Sequence, residues 1–571
     1  MQEGVSRRRM TVRQDNPLIV QGDHTVLVEV DSPRYAEARD ALVGFAELVK
    51  SPEHVHTYRI TPLSIWNARA AGIDAGAITS ALEEFAKYAV PGHVVMQIRD
   101  FAARYGRVRI EKSGDGLLLA CEDAPLAELI ARHRAVAPLL AERVSTTAFR
   151  VAAAERGRLK QALVRAGYPA EDVAGYTEGE DLAVALRERT RAGERFALRA
   201  YQAWAVRAFH ADGSARGGSG VIVLPCGAGK TVVGVACMAE LGASTLILTT
   251  GVTASRQWAE ELLDKSSLDA ADIGLYDGAS KEIRPVTIAT YNILTHRRGK
   301  EETFRHLELF DRRNWGLIIY DEVHLLPAPV FQITASLQAR RRLGLTATLV
   351  REDGREEDVF ALIGPKKMDV PWKVLEREGW IAKAVCTEIR LPMDEELRMT
   401  YALSEPRARF RVAAENPAKL DVVRLLLELH ADEPVLIMAT YLDQIAGIAR
   451  ELGIPVITGA TQQTERDRLY AEFRQGDVRV LAVSKVANFA IDLPDAAVAI
   501  QVSGTFGSRQ EEAQRLGRLL RPKPGANQAH FYTLVSGDTV EQDFALKRQL
   551  FLCEQGYEYR IVDGAPAGAR T

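Results

Sequence analysis

From about residue 196 to the end of the chain, short apolar runs of strand length alternate with stretches in which apolar side chains recur every three to four positions. Runs at 245–248, 286–289 and 317–320 form one block, and runs at 435–438, 478–483 and 497–501 form a second. Strands that are apolar on both faces and separated by amphipathic helices predict parallel, doubly wound sheets. Two blocks predict two such domains, over 196–372 and 373–571. Upstream the pattern changes. Residues 18–20 and 25–30 read as a hairpin turning at Gly22-Asp23, and 36–49 has helical periodicity. Helices are predicted over 61–71, 74–88 and 92–105, the first two started by Thr61-Pro62 and Asp74. Strands at 107–110 and 117–120, about a turn of Ser113, Gly114, Asp115 and Gly116, read as a wing. Residues 17–122 therefore predict a smaller α/β, winged-helix-like domain. The stretch 123–195 is rich in Ala, Leu and Arg and predicts a helical intermediate domain or linker. Residues 1–16 read as a disordered tail.

Composition narrows the class. At 571 residues the chain exceeds one hydrophobic core, and 47% hydrophobic with 26% charged residues is ordinary for a globular protein. The longest apolar runs have strand length, so no membrane span is expected, and Arg7-Arg8-Arg9 is followed by no apolar stretch of a secretory signal. The expected location is the cytoplasm. The five cysteines are dispersed with no C-x-x-C pair, which predicts small buried side chains rather than a disulfide framework or metal site. His54-Val55-His56 lacks a third ligand and reads as structural. Net charge is only −3, yet basic residues cluster at Arg297-Arg298-Gly299-Lys300, Arg340-Arg341-Arg342 and Arg521-Pro522-Lys523. Local clusters of this kind can follow a phosphate backbone on a protein that is neutral overall.

The chemistry concentrates in a few places. Apolar 221–224 runs into Pro225-Cys226-Gly227-Ala228-Gly229-Lys230-Thr231, after which a helix opens. A strand feeding a Gly-rich turn into a helix N-terminus aims backbone N–H groups at phosphates. Gly227, Ala228 and Gly229 would cradle the anion, Lys230 would reach the β/γ-phosphates and the Thr231 hydroxyl would hold Mg²⁺. Leu224 stands where the strict loop has Gly, so the match is to the looser G-x-G-K-T form. Downstream, the apolar run 317–320 ends in Asp321-Glu322-Val323-His324. Carboxylates at the C-terminal end of such a strand lie where parallel sheets bind ligands. Asp321 would orient Mg²⁺ and Glu322 would position or deprotonate the attacking water. Gln202, in Leu198-Arg199-Ala200-Tyr201-Gln202, is placed to pair with an adenine edge. The hydroxyls of Thr346 and Thr348 are placed to link the nucleotide site to a nucleic-acid groove. Gln514, Arg518 and Arg521 share one face of a predicted helix, and its two arginines would act as fingers on the γ-phosphate.

In this order the motifs resemble those of the superfamily-two helicases. Within them the chain resembles the XPB (xeroderma pigmentosum group B) DNA repair helicase family. The resemblance is carried by 224–231, by Asp321 to His324, by Arg351-Glu352-Asp353, by Ser484-Lys485-Val486 with Asp492-Leu493-Pro494, and by 514–521. It extends to 17–120, including His54-Val55-His56-Thr57-Tyr58, and is weakest over 125–192. It implies an α/β fold: two RecA-like parallel-sheet motor domains preceded by the winged-helix-like domain. It further implies ATP and Mg²⁺ as cofactors and a DNA-stimulated ATPase moving 3′ to 5′ on single-stranded DNA and duplex junctions. A nuclease or another repair protein is the partner class to look for. Arg351-Glu352-Asp353 matches the family element that couples hydrolysis to DNA opening. Residues 391–419 occupy the place of a DNA-gripping, thumb-like insertion, here interrupted by Pro406. Ala487-Asn488 replaces the usual Gly-Asp of an interdomain loop. Two alternatives remain open at this level: a translocase that moves along duplex without separating strands, and a DNA-binding scaffold with a vestigial ATPase.

Overall fold

The strands Ser219–Val223, Thr245–Thr249, Val286–Thr290 and Leu317–Asp321 of the first large sheet are buried on both faces, whereas its edge strand Lys366–Asp369 is polar and half-buried. Its order is Ile273–Tyr276, Val286–Thr290, Thr245–Thr249, Leu317–Asp321, Arg341–Thr346, Ser219–Val223, Lys366–Asp369, with every neighbouring pair parallel. Val221, Leu246, Leu248, Ile318 and Tyr320 form its core with Phe310 and Trp315. The computed structural model describes residues 13–564 apart from 51–53, 115, 215–216, 226, 297–304, 311, 338–339, 348–355, 371–374, 377, 381, 485–495, 505–527 and 555–556. It divides into two units, one built mainly from residues up to 370 and one mainly from 371 onward.

The N-terminal part of the first unit follows the predicted pattern with three corrections. The hairpin is present as Leu18–Val20 and Thr25–Glu29, and the three helices as Pro62–Ala70, Ala75–Phe85 and Gly92–Arg104. Thr61 and Ser64 form a reciprocal capping box, and the Asp74 carboxylate accepts from the Ala77 N–H at 2.7 Å. The tail expected over 1–16 is anchored from its thirteenth residue: the Arg13 N–H donates to the Lys87 carbonyl, and buried Asn16 donates to the Ala86 carbonyl. The helix expected over 36–49 stops at Val43, and Glu47–Lys50 is a strand. The N–H groups of Phe45 and Ala46 both turn back onto the Leu42 carbonyl, at 2.9 and 2.7 Å, which closes the helix.

The third correction concerns 107–195. The expected wing, Val108–Ser113 with Gly116–Cys121, is the centre of a four-stranded sheet flanked by Ala148–Val151 and Ala170–Asp172. Val108, Ile110, Leu119, Leu126, Phe149, Leu159 and Leu163 pack into one core. The hairpin therefore belongs with the residues that follow it, and the expected boundary at 122 falls inside this module. The 123–195 stretch is less helical than expected. It contains the helices Ala124–Arg132 and Arg156–Arg165, and its last part is an extended strap along the first large sheet's domain. The strap is held by main-chain bonds from Glu180 to Asn314, Leu182 to Gly242 and Arg187 to Lys265, at 2.8, 2.8 and 2.9 Å.

The second unit repeats the architecture. Its sheet runs Val456–Ile457, Val480–Ser484, Val435–Ala439, Val498–Gln501, Gln528–Ser536, Lys383–Leu391, Glu558–Asp563, again all parallel. Residues 391–419 form two helices, Glu395–Leu403 and Pro406–Ala414, and enter a third at Ala418. Pro406 starts the second helix at a position where its missing N–H costs nothing. The Lys419 ammonium, 1% exposed, donates to both oxygens of Glu541, 0% exposed, and to the Val502 carbonyl, each at 2.8 Å. The four described cysteines are buried and form no disulfide among the described residues. Among the described residues no helix is long and apolar enough to cross a membrane.

Candidate active site

Parallel register brings three strand ends to one edge of the first sheet. Thr346 lies beside Val223, and Asp321 beside Leu345. The Leu224 N–H donates to the Thr346 carbonyl at 2.9 Å, which fixes where the loop leaves the sheet. Gly227 and Gly229 then take φ of 79° and 78°, values that L side chains rarely adopt, and the helix Lys230–Leu241 begins at the next residue. A Cβ at Gly229 would also crowd the amide of Gln202 and displace it from its present place. Gln202 is buried, and its carbonyl oxygen accepts from the Arg199 N–H at 3.0 Å. It thus braces the loop from the N-terminal turn of its own helix, Ala200–His210.

The acidic pair faces the loop lysine. Lys230 Nζ lies 3.5 Å from Glu322 Oε1, with both side chains mostly buried. Glu322 sits at φ 50°, a costly backbone conformation for a residue with a side chain, held where its carboxylate meets the lysine. Burial alone would raise the Glu322 carboxyl, but Lys230 and His324 outweigh it and hold the group below the usual carboxylate range. For Asp321 burial dominates and the charge of Glu322 adds to it, so its carboxyl is held above that range against Lys230 and a hydrogen bond from Trp258. The two neighbouring acids are pushed apart, a pattern typical of functional sites.

Two contacts at this edge were not anticipated from sequence. The Trp258 indole N–H, on the helix Val252–Lys265, donates to Asp321 Oδ2 at 3.0 Å. The indole reaches that far because residue 234 is glycine; a methyl there would overlap the ring. His324 Nδ1 and Thr346 Oγ1 lie 2.7 Å apart, joining the acidic box to the Thr346-Ala347 strand end. A tryptophan on a helix face carries no signal of this role in sequence. Trp258→Phe should keep most of the ring packing and remove the indole donor from Asp321 Oδ2, leaving Oδ1 its bond from the Glu322 N–H at 3.1 Å. The expected loss is about 1–3 kcal/mol of stability, read by urea unfolding. An unchanged transition of the first unit, which holds Trp258 and Asp321, would show that the bond contributes nothing.

The structure thus brings together Gln202, Gly229, Lys230, Asp321, Glu322 and Thr346. Ala228 is buried in the loop, and Thr231 lies in the first turn of the loop's helix. Thr348, Arg351, Glu352, Asp353, Ala487, Asn488, Gln514, Arg518 and Arg521 lie outside the described residues. His56 is buried and His54 exposed, and no group of metal-ligating side chains occurs among the described residues.

A phosphate-type loop and an acidic pair at the ends of two strands flanking Arg341–Thr346, followed by a second seven-stranded parallel sheet, define a helicase motor with two RecA-like domains. Residues 375–568 match the family described as ERCC3/RAD25/XPB C-terminal helicase. Residues 195–351 match that described as type III restriction enzyme, res subunit, and residues 18–145 that described as helicase conserved C-terminal domain. A Mycobacterium tuberculosis protein named DNA 3′-5′ helicase XPB is 54% identical over 550 residues, covering 96% of this chain and 98% of its own. A protein of the same name from Kineococcus radiotolerans is 55% identical, covering 96% and 97%. A general transcription and DNA repair factor IIH helicase/translocase subunit XPB from Antonospora locustae is 34% identical, covering 96% and 81%. The chain belongs to the XPB family of DNA helicases.

Proposed function

We propose that this protein is an ATP-hydrolysing DNA helicase that moves 3′ to 5′ and acts in DNA repair in the cytoplasm. The observation that carries the chemistry is the Lys230–Glu322 pair at 3.5 Å, one cation and one ionised acid facing each other beside a glycine loop. The donor set fits a nucleotide triphosphate with a divalent cation: a positive-φ loop opening a helix, a lysine behind it, a hydroxyl at Thr231 and a carboxylate at Asp321. Mg²⁺ bound there would neutralise charge on the β- and γ-phosphates. Thr231 and Asp321 would hold it, and Gln202 would read the adenine edge.

The chain's own residues do the rest. The triphosphate competes with Glu322 for the Lys230 ammonium. As Lys230 turns to phosphate, the Glu322 carboxylate is released to accept a proton from the attacking water. Arg518 and Arg521, from the 514–521 segment with Gln514, stabilise charge on the transferred phosphate. His324 and Thr346 carry the state of the acidic box to the strand end that leads to Thr348 and Arg351-Glu352-Asp353. DNA is held mainly through its phosphates, so binding is tolerant of sequence and sensitive to salt. A nuclease or another repair protein is the partner class that would act with it.

The test is the ATPase rate with no nucleic acid, single-stranded DNA, duplex DNA and RNA in parallel. DNA should stimulate turnover and RNA should not; equal stimulation by RNA would refute the reading. Changing Arg351, Glu352 and Asp353 together to Ala should leave basal ATPase near normal while unwinding of a 3′-tailed duplex falls sharply. Intact unwinding in that triple variant would reduce the element to surface.

A further inference from the structure

We propose that Trp258, with Tyr291 behind it, is the positioning residue that sets how tightly the nucleotide site takes its divalent cation, on the reading that Thr231 and Asp321 hold that cation. Those two residues belong to different elements. Thr231 lies in the first turn of the helix Lys230–Leu241, and Asp321 ends the strand Leu317–Asp321. A metal site split between two elements works only if their spacing is fixed, and the groups behind the metal-holding side chains commonly fix it.

The indole of Trp258 touches both halves. Its ring lies against Gly234 of the loop's helix, so closely that a Cβ at 234 would overlap Cη2. Gly234 follows Thr231 by three residues, so the two share a face of that helix. From this seat the ring N–H donates to Asp321 Oδ2 at 3.0 Å. The ring is buried and arrives from a third element, the helix Val252–Lys265. An indole is rigid and turns about only two side-chain torsions. A shift of the loop's helix against the strand end would therefore break either the packing on Gly234 or the bond to Asp321. Core packing alone would be met by a smaller ring at 258 and a methyl at 234. It calls neither for the glycine that admits an indole nor for an N–H aimed at the metal-holding carboxylate.

The carboxylate is also fixed in its own plane. Oδ2 accepts the indole N–H and Oδ1 accepts the Glu322 N–H, at 3.0 and 3.1 Å. The last torsion of an aspartate is otherwise broad, and one donor on each oxygen narrows it. Each oxygen keeps a lone pair for a ligand. The main chain is pinned as well. The hydroxyl of buried Tyr291 donates to the Asp321 carbonyl at 2.9 Å. Tyr291 opens the short helix Tyr291–Leu294 directly after the strand Val286–Thr290. Two aromatic side chains, from elements on the far side of Asp321 from the loop, thus hold it by side chain and by backbone.

Calorimetric titration of ADP into the full chain, in EDTA and over a series of Mg²⁺ concentrations, tests this on wild type, Trp258→Phe and Tyr291→Phe. In wild type Mg²⁺ should tighten ADP binding. In Trp258→Phe the Mg²⁺ concentration that gives half of that effect should rise about 10–100-fold, the usual cost of removing a partner from a metal-holding side chain. ADP affinity in EDTA should stay at the wild-type value. Tyr291→Phe loses a single hydroxyl; it should shift the same way by a smaller factor, and it decides the matter if Trp258→Phe does not fold. The ATPase rate of Trp258→Phe should climb toward that of wild type as Mg²⁺ is raised, whereas a merely structural role would lower turnover alike at every Mg²⁺ concentration. A midpoint unmoved in Trp258→Phe, or in Tyr291→Phe where the first does not fold, beside a Mg²⁺-dependent wild type would overturn the proposal and leave the nucleotide reading standing. Wild-type ADP binding that ignores Mg²⁺ would overturn that reading and the proposal with it.

Discussion

Glu322→Gln should bind ATP and hydrolyse it about 10²–10⁴-fold more slowly than the wild type. The amide keeps the shape of the carboxylate but cannot take a proton. Glu322 is suited to that task because Lys230 and His324 keep it ionised despite its burial. Lys230→Ala should be comparably inactive for a different reason, since it removes the cation that meets charge developing on the phosphate. The two variants are separated by nucleotide binding: Glu322→Gln should retain it and Lys230→Ala should lose much of it. Removing Lys230 also leaves Glu322 without its main counter-charge, so its carboxyl should rise toward neutrality. Hydrolysis by Glu322→Gln at the wild-type rate would show that the 3.5 Å pair is structural only.

Lys419→Met should destabilise the second unit by about 3–5 kcal/mol, because it strands a buried carboxylate. Glu541 would keep one donor, the Ser536 N–H at 2.9 Å, and the Val502 carbonyl would lose the ammonium. The double variant Lys419→Met/Glu541→Leu should recover most of the loss, since a buried ion pair replaced by apolar side chains of similar volume is often neutral. Because the chain has two units, the readout is the transition assigned to the second one in calorimetric unfolding rather than a single midpoint. A single variant within about 1 kcal/mol of wild type would show that the pair is solvated in solution.

Legibility from sequence followed the range of the interactions. The two large sheets were readable because strands buried on both faces leave continuous apolar runs, and the loop was readable because its glycines, lysine and threonine are consecutive. Asp321 and Glu322 were readable because they end such a run. The module around 107–175 was not, since Ala148–Val151 and Ala170–Asp172 are four and three residues long and too short for a period to emerge. The strap after it is held by main-chain bonds, which any sequence can make. Most of the strand Glu47–Lys50 falls within the helix expected over 36–49, because its apolar positions continue the preceding helical spacing. Trp258 and the Lys419–Glu541 pair depend on partners 63 and 122 residues away, and no local pattern announces them.

On the proposed function, hydrolysis at Lys230 and Glu322 drives strand separation with 3′-to-5′ polarity. The XPB subunit from Antonospora locustae carries both helicase and translocase in its name, so strand separation is the feature to measure. The most direct measurement compares unwinding of duplexes bearing a 3′ or a 5′ single-stranded tail, with ATP, by the wild type and Glu322→Gln. Wild type should separate the 3′-tailed duplex only, and Glu322→Gln should separate neither. Vigorous DNA-stimulated ATPase with both duplexes left intact would contradict it and identify a duplex translocase instead.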